Sequence, residues 1–76
     1  MKEWLEQTVK SLVDTPEEVK VSVTEGSTMI AFVVKVLKKE NGQLIGRGGQ
    51  NIKSIQTLLS AMATKEKKRV NIAIEE

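Results

Sequence analysis

Apolar residues recur at two different periods along the chain, and the switches between them mark its elements. Leu5, Val9, Leu12 and Val13, with Met1 and Trp4 before them, fall three and four apart, while Glu3, Glu6, Lys10 and Ser11 lie elsewhere. That spacing predicts an amphipathic helix ending near Asp14. Thr15-Pro16-Glu17-Glu18 then reads as an N-cap, a proline at the first helical position and acidic residues in the first turn, enough for a single turn. The period then drops to two. Val19, Val21 and Val23 alternate with Lys20, Ser22 and Thr24, as in a half-buried strand, and Glu25-Gly26-Ser27 supplies a turn. The next strand is the most apolar segment, with Ile30, Phe32, Val34 and Val36 on one face and Ala31, Val33, Lys35 and Leu37 on the other. Such a strand belongs in the centre of a sheet.

Glu40 to Ile45 can form a short helix stopped at Gly46, a helix end being where glycine is favoured. Ile52, Ile55, Leu59 and Met62 restore the helical period, which breaks at Lys65-Glu66-Lys67-Lys68. Val70, Ile72 and Ile74 alternate with Asn71, Ala73 and Glu75 in a last strand. The expected order is α-β-β-α-α-β, without internal repeat, linker or low-complexity tract. All three strands can turn their branched residues to one helical layer. Lys20, Ser22, Thr24, Lys35, Asn71 and Glu75, with Ala31, Val33 and Ala73, are then left for the open sheet face. The fold class is α+β, a two-layer sandwich forming one domain over residues 1–76.

Composition narrows the function classes. A chain of 76 residues has a thin core. No apolar run is long enough to span a bilayer, and Glu3 and Glu6 stand where a signal peptide carries basic residues, so a cytoplasmic protein without membrane association is expected. There is no His, Cys or Tyr, which removes the usual imidazole base, thiol nucleophile, phenolic acid and zinc ligands. No set of residues carries catalysis, and neither cofactor, metal nor small-molecule substrate is expected. Net charge is +2, but unevenly spread: residues 1–27 hold three basic and six acidic side chains, residues 28–76 nine basic and four acidic. An anionic partner for the second part is consistent with that asymmetry.

Four of the five glycines fall in the run Gly42 to Gly49, within the basic part. Three phosphate-holding loops compete for it. A P-loop needs a Gly-Lys pair, which the chain lacks. A dinucleotide fingerprint fails at its third glycine, where Asn51 stands, and the chain is too short for a Rossmann unit. A Gly-x-x-Gly loop between two helices, which clamps a nucleotide backbone, agrees in spacing and context through Gly46, Arg47, Gly48 and Gly49. Glycine lets a sugar-phosphate chain approach closely, free N–H groups at the following helix start favour phosphate oxygens, and Arg47 adds a charge. Lys53, one turn further, can flank the strand. Taken alone, the same glycines also suit a plain helix–helix turn.

The stretch from Gly42 to Ile55 resembles the core of KH domains, with the signature Val/Leu-Ile-Gly-x-x-Gly-x-x-Ile-x-x-Ile. Leu44, Ile45, Gly46, Gly49, Ile52 and Ile55 fill every position. Two strands and a helix before the motif and one strand after it resemble the type II, prokaryotic arrangement. The run Val9 to Val19 and the strand opening Lys68-Arg69-Val70 are similar to the small stand-alone bacterial KH proteins, the KhpA family. The resemblance implies a groove floored by aliphatic side chains that takes single-stranded RNA with bases inward. It assigns backbone contacts to Gly46, Arg47, Gly48 and Gly49, groove wall to Leu44 and Ile52, and pure core to Ile45 and Ile55. The loop departs from the family in having Gly48 at its second variable position, so Arg47 is its sole cation. Trp4 and Phe32, the only aromatic residues, both sit in the core periodicity, which speaks against RRM- and OB-type stacking surfaces.

Two functional readings follow. The first is a single-stranded RNA-binding protein, an RNA chaperone or post-transcriptional regulator. The second is a dimerising module, with Ser54, Leu58 and Ala61 as a seam beside the core stripe. It forms a homodimer or, as the resemblance implies, a heterodimer with a second KH-containing protein of the Jag type, linked to cell division, envelope growth and cell shape. Lys65, Lys67, Lys68 and Arg69 complement a helix dipole, or alternatively form an auxiliary phosphate track.

Overall fold

The computed structural model describes residues 1–75; Glu76 lies outside them. The order is α1 (Lys2–Leu12), β1 (Lys20–Glu25), β2 (Met29–Lys35), α2 (Asn41–Ile45), α3 (Gln50–Thr64) and β3 (Arg69–Glu75), with short 3-10 turns at Pro16–Glu18, Lys38–Glu40 and Arg47–Gly49. This is the expected α-β-β-α-α-β sequence. The sheet runs β1-β2-β3, with β1 antiparallel and β3 parallel to the central strand. A parallel neighbour cannot be reached by a hairpin, so the whole α2–α3 unit is the crossover that returns the chain to β3.

Register explains the one-sided core. Val21, Val34 and Ile74 form one row across the sheet, and Val23, Phe32 and Ile72 the next. Against them pack Leu5 and Val9 of α1, Leu44 of α2, and Ile55, Leu59 and Ala63 of α3, all buried. Trp4 is half-buried and lies against this core, while Phe32 is buried within it. On the opposite face the rows Lys20–Lys35–Glu75, Ser22–Val33–Ala73 and Thr24–Ala31–Asn71 carry the residues expected there.

Two local expectations are corrected. Val23 stays 41% exposed although it belongs to the core face of its strand. The helical layer does not close over this edge of β1, leaving a crevice lined by Met1, Lys2, Val23, Met62 and Glu66 above Phe32. Thr15 forms no side-chain cap on the Pro16–Glu18 turn. Its hydroxyl instead donates to the buried Glu40 carboxylate, a charge-assisted hydrogen bond. Only the backbone closes the turn, Glu18 N–H donating to the Thr15 carbonyl at 3.0 Å.

Candidate nucleic-acid interface

The loop between α2 and α3 is shaped by three consecutive demands on backbone geometry. Gly46 ends α2 at φ 77°, ψ 173°, a region populated almost only by glycine. Gly48 and Gly49 follow in left-handed conformation at φ 63° and 79°. Gly46 N–H donates to the Gly42 carbonyl at 2.9 Å, and Gly49 N–H to the Gly46 carbonyl at 3.1 Å. Among the described residues, the N–H groups of Arg47 and Gly48 make no backbone hydrogen bond. They lie in an exposed tip, where a Cβ at residue 48 would meet nothing within 4 Å. The α3 start has Gly49 as N-cap and no side-chain cap. Unsatisfied donors therefore gather at this end of α3 next to the exposed Arg47, an arrangement complementary to phosphate oxygens.

α2 is only five residues long, too short to be stable by itself. Tertiary hydrogen bonds hold it. The Glu40 carboxylate, 2% exposed, accepts Thr15 N–H at 3.0 Å and Thr15 Oγ1–H at 2.6 Å. Gln43 and Asp14 clasp one another. Gln43 Nε2 donates to Asp14 Oδ2 at 2.9 Å, and Asp14 N–H donates to Gln43 Oε1 at 3.1 Å. The two bonds to the buried Glu40 carboxylate contribute about 1.5–3 kcal/mol each, and the exposed Gln43–Asp14 pair adds less, together tying α2 to the turn after α1.

Beside the loop, α3 lies along the free edge of β3. Gln56 Nε2 donates to the Val70 carbonyl at 2.7 Å, so that carbonyl points away from β2. Arg69 N–H points the other way, to the Thr28 carbonyl at 3.0 Å. Alternation then puts the N–H and C=O groups of Ile72 and Ile74 on the free edge, with their half-buried side chains on the helical side of the sheet. Ile72 and Ile74 thus add half-buried aliphatic surface beside this edge. The edge itself offers unpaired backbone donors and acceptors.

The sequence-derived site residues divide. Gly46, Arg47, Gly48 and Gly49 form the loop itself, and Lys53 is exposed on the neighbouring turn of α3. Ile52 is half-buried in the first turn of α3. Leu44 is 0% exposed and cannot line a groove, whereas Ile45, expected in the core, is 36% exposed. The two exchange places because α2 turns Leu44 inward to the core and the following residue, about 100° further round, faces out. Ile55 is buried as expected. Sequence reasoning missed Asn51, Gln43, Asp14, Glu40 and Ile72. Polar residues spaced for contact across the fold leave no periodic signal, and the edge position of β3 needs the strand order.

The second basic cluster sits at the other end of α3, about 22 Å from the loop for a fifteen-residue helix. Lys68 pairs there with Glu25 of β1, so this cation is engaged within the fold. Among the described residues, no group of three or more His, Cys, Asp or Glu side chains is gathered as a metal site, and no helix is long and apolar enough to cross a membrane.

Two strands and a helix ahead of a Gly-x-x-Gly turn, with a parallel strand behind it, define a KH domain of the type II arrangement. The chain belongs to the KhpA/KhpB KH-domain family, whose sequence profile matches residues 2–74. Among its relatives, the RNA-binding protein KhpA of Clostridium acetobutylicum is 45% identical over 74 residues, covering 97% of this chain and 99% of its own. That of Chlamydia pneumoniae is 41% identical over 76 residues, covering 100% and 97%. That of Borreliella burgdorferi is 42% identical over 72 residues, covering 95% and 88%. The family is not an enzymatic one. No solved structure matches the chain.

Proposed function

We propose that this protein binds single-stranded RNA, holding the sugar-phosphate backbone against Gly46, Arg47, Gly48 and Gly49 and laying bases against the aliphatic side chains of Ile45, Ile52, Ile72 and Ile74. The observation that carries the reading is the exposed loop tip with its unbonded Arg47 and Gly48 N–H groups beside the uncapped start of α3. Kinship with proteins named RNA-binding protein KhpA supports the choice of RNA over another polyanion. Lys53 adds a flanking charge. Leu44 acts as core support for the loop and has no contact with RNA. With a single cation in the loop, affinity is modest and base preference weak, as suits an RNA chaperone or post-transcriptional regulator in the cytoplasm.

The test is the double variant R47D/G48D. Gly48 already has a left-handed φ of 63°, which Asp tolerates better than most residues, and the space around it is open. The variant folds at a stability cost of about 1–2 kcal/mol. Two added carboxylates at the phosphate position abolish binding of a labelled polyuridine strand in an anisotropy titration. Undiminished affinity in the folded double variant refutes the clamp.

A second reading has its own observation. Leu58 on the outer face of α3 is 52% exposed, in a shallow depression shared with Lys53, Ser54 and Thr57. Ser54 and Ala61, also exposed, continue that strip. This surface suits pairing with a second copy or with another KH-containing protein of the Jag type, in control of cell division and envelope growth. Pairing two small grooves raises affinity through effective concentration, so it adds to RNA binding instead of replacing it.

A further inference from the structure

We infer that Asn51 is a positioning residue of the RNA clamp, fixing the Gly46–Gly49 loop through the end of α2; this rests on the RNA-binding reading of that loop. Asn51 Nδ2 donates to the Gln43 carbonyl at 3.1 Å. Gln43 lies in the last turn of α2, where carbonyls lack intrahelical donors, so the Asn51 amide acts as a side-chain cap reaching back across the loop. The same side chain lies over Gly46. A Cβ at residue 46 would sit 2.6 Å from Asn51 Cγ, 2.8 Å from Nδ2 and 2.9 Å from Cβ. Gly46 is thus required twice, by its own backbone angles and by the side chain resting on it.

The anchor is fixed at its other end too. The Gln43 side chain is clasped in both directions by Asp14, so its backbone is held on one side by the turn after α1 and on the other by Asn51. Loop geometry therefore runs through a continuous set of contacts from Asp14 to Gln43, to Asn51, to Gly46. Among the described residues, three backbone hydrogen bonds hold the loop otherwise, from Gly46 N–H to the Gly42 carbonyl, from Gly49 N–H to the Gly46 carbonyl and from Gln50 N–H to the Arg47 carbonyl. Three glycines at positive φ impose little stiffness of their own. An unclamped tip has to be ordered on binding, and that ordering weakens affinity even though every phosphate contact remains available.

Two variants separate bulk from hydrogen bonding. Asn51→Leu keeps the branched shape and removes the donor; Asn51→Ala removes both. In the free protein, nitrogen–proton spectra of each should show the amides of Gly46, Arg47, Gly48 and Gly49 shifted and exchanging faster with solvent, while β2 amides stay in place. Polyuridine affinity should fall roughly three- to tenfold in both, the scale of one lost neutral hydrogen bond. The salt slope should not change, since no cation has been removed. Loop amides that do not move in either variant overturn the inference, as does wild-type affinity in the Leu variant with loss confined to the Ala variant. A wild-type protein with no affinity for polyuridine overturns the RNA reading instead, and the amide spectra of the free variants then decide the loop-positioning role by themselves.

Discussion

Lys67 occupies a conformation that its side chain does not suit. It has φ 59° in the turn that ends α3, where Lys67 N–H donates to the Thr64 carbonyl at 3.0 Å and Lys68 N–H to the Ala63 carbonyl at 3.2 Å. This pair of bonds is the Schellman arrangement, which normally places glycine at the left-handed position. Relief of left-handed strain, about 1–2 kcal/mol, exceeds the added unfolded-state freedom of glycine, about 0.4–1 kcal/mol. Lys67→Gly should therefore stabilise the fold and raise the thermal midpoint by roughly 2–8 °C in a circular-dichroism melt. A lowered midpoint contradicts this account of the turn. At the same scale the unusual backbone of Gly46, Gly48 and Gly49 was legible in the sequence, because freedom at positive φ belongs to glycine as a residue type. It was read incorrectly at Leu44 and Ile45, since two adjacent aliphatic residues in a five-residue helix give too little period to tell inside from outside.

Among the elements, α3 serves three neighbours with three faces. Ile55, Leu59 and Ala63 enter the core, Gln56 bonds the edge of β3, and Leu58 faces solvent with Ser54 and Ala61. A partner covering the half-exposed Leu58 would bury one such side chain per subunit across a two-fold axis, at about 1–1.5 kcal/mol each. The pairing reading predicts that the wild type sediments as a dimer at high micromolar concentration and that Leu58→Lys sediments as a monomer with an unchanged melt. A wild type that remains strictly monomeric contradicts self-pairing. Element order, the central strand and the helical core stripes were all legible from apolar spacing. The edge of β3 was not, because the same alternating pattern serves an edge strand and an interior one with its second face exposed.

For the whole molecule, charge and topology act together. The basic second part of the chain contains the loop, but its cations do not form one continuous track: Lys68 pairs with Glu25 at the far end of α3. Sequence composition revealed the asymmetry and could not show that pairing, which joins residues 43 positions apart. The buried Glu40 and its Thr15 partner were hidden for the same reason: a charged residue in sequence reads as surface until its partner is known. What the fold assembles is a two-layer support that carries the Gly46–Gly49 turn ahead of α3 and the free edge of β3 alongside it. The most direct test of the central claim is to titrate the isotope-labelled protein with polyuridine and follow its backbone amide shifts. The account predicts that the largest changes fall on Gly46 to Gly49, Ile52, Lys53, Ile72 and Ile74. Binding with those amides unmoved, and with changes centred on the open sheet face at Lys20, Ser22 and Lys35, would contradict it.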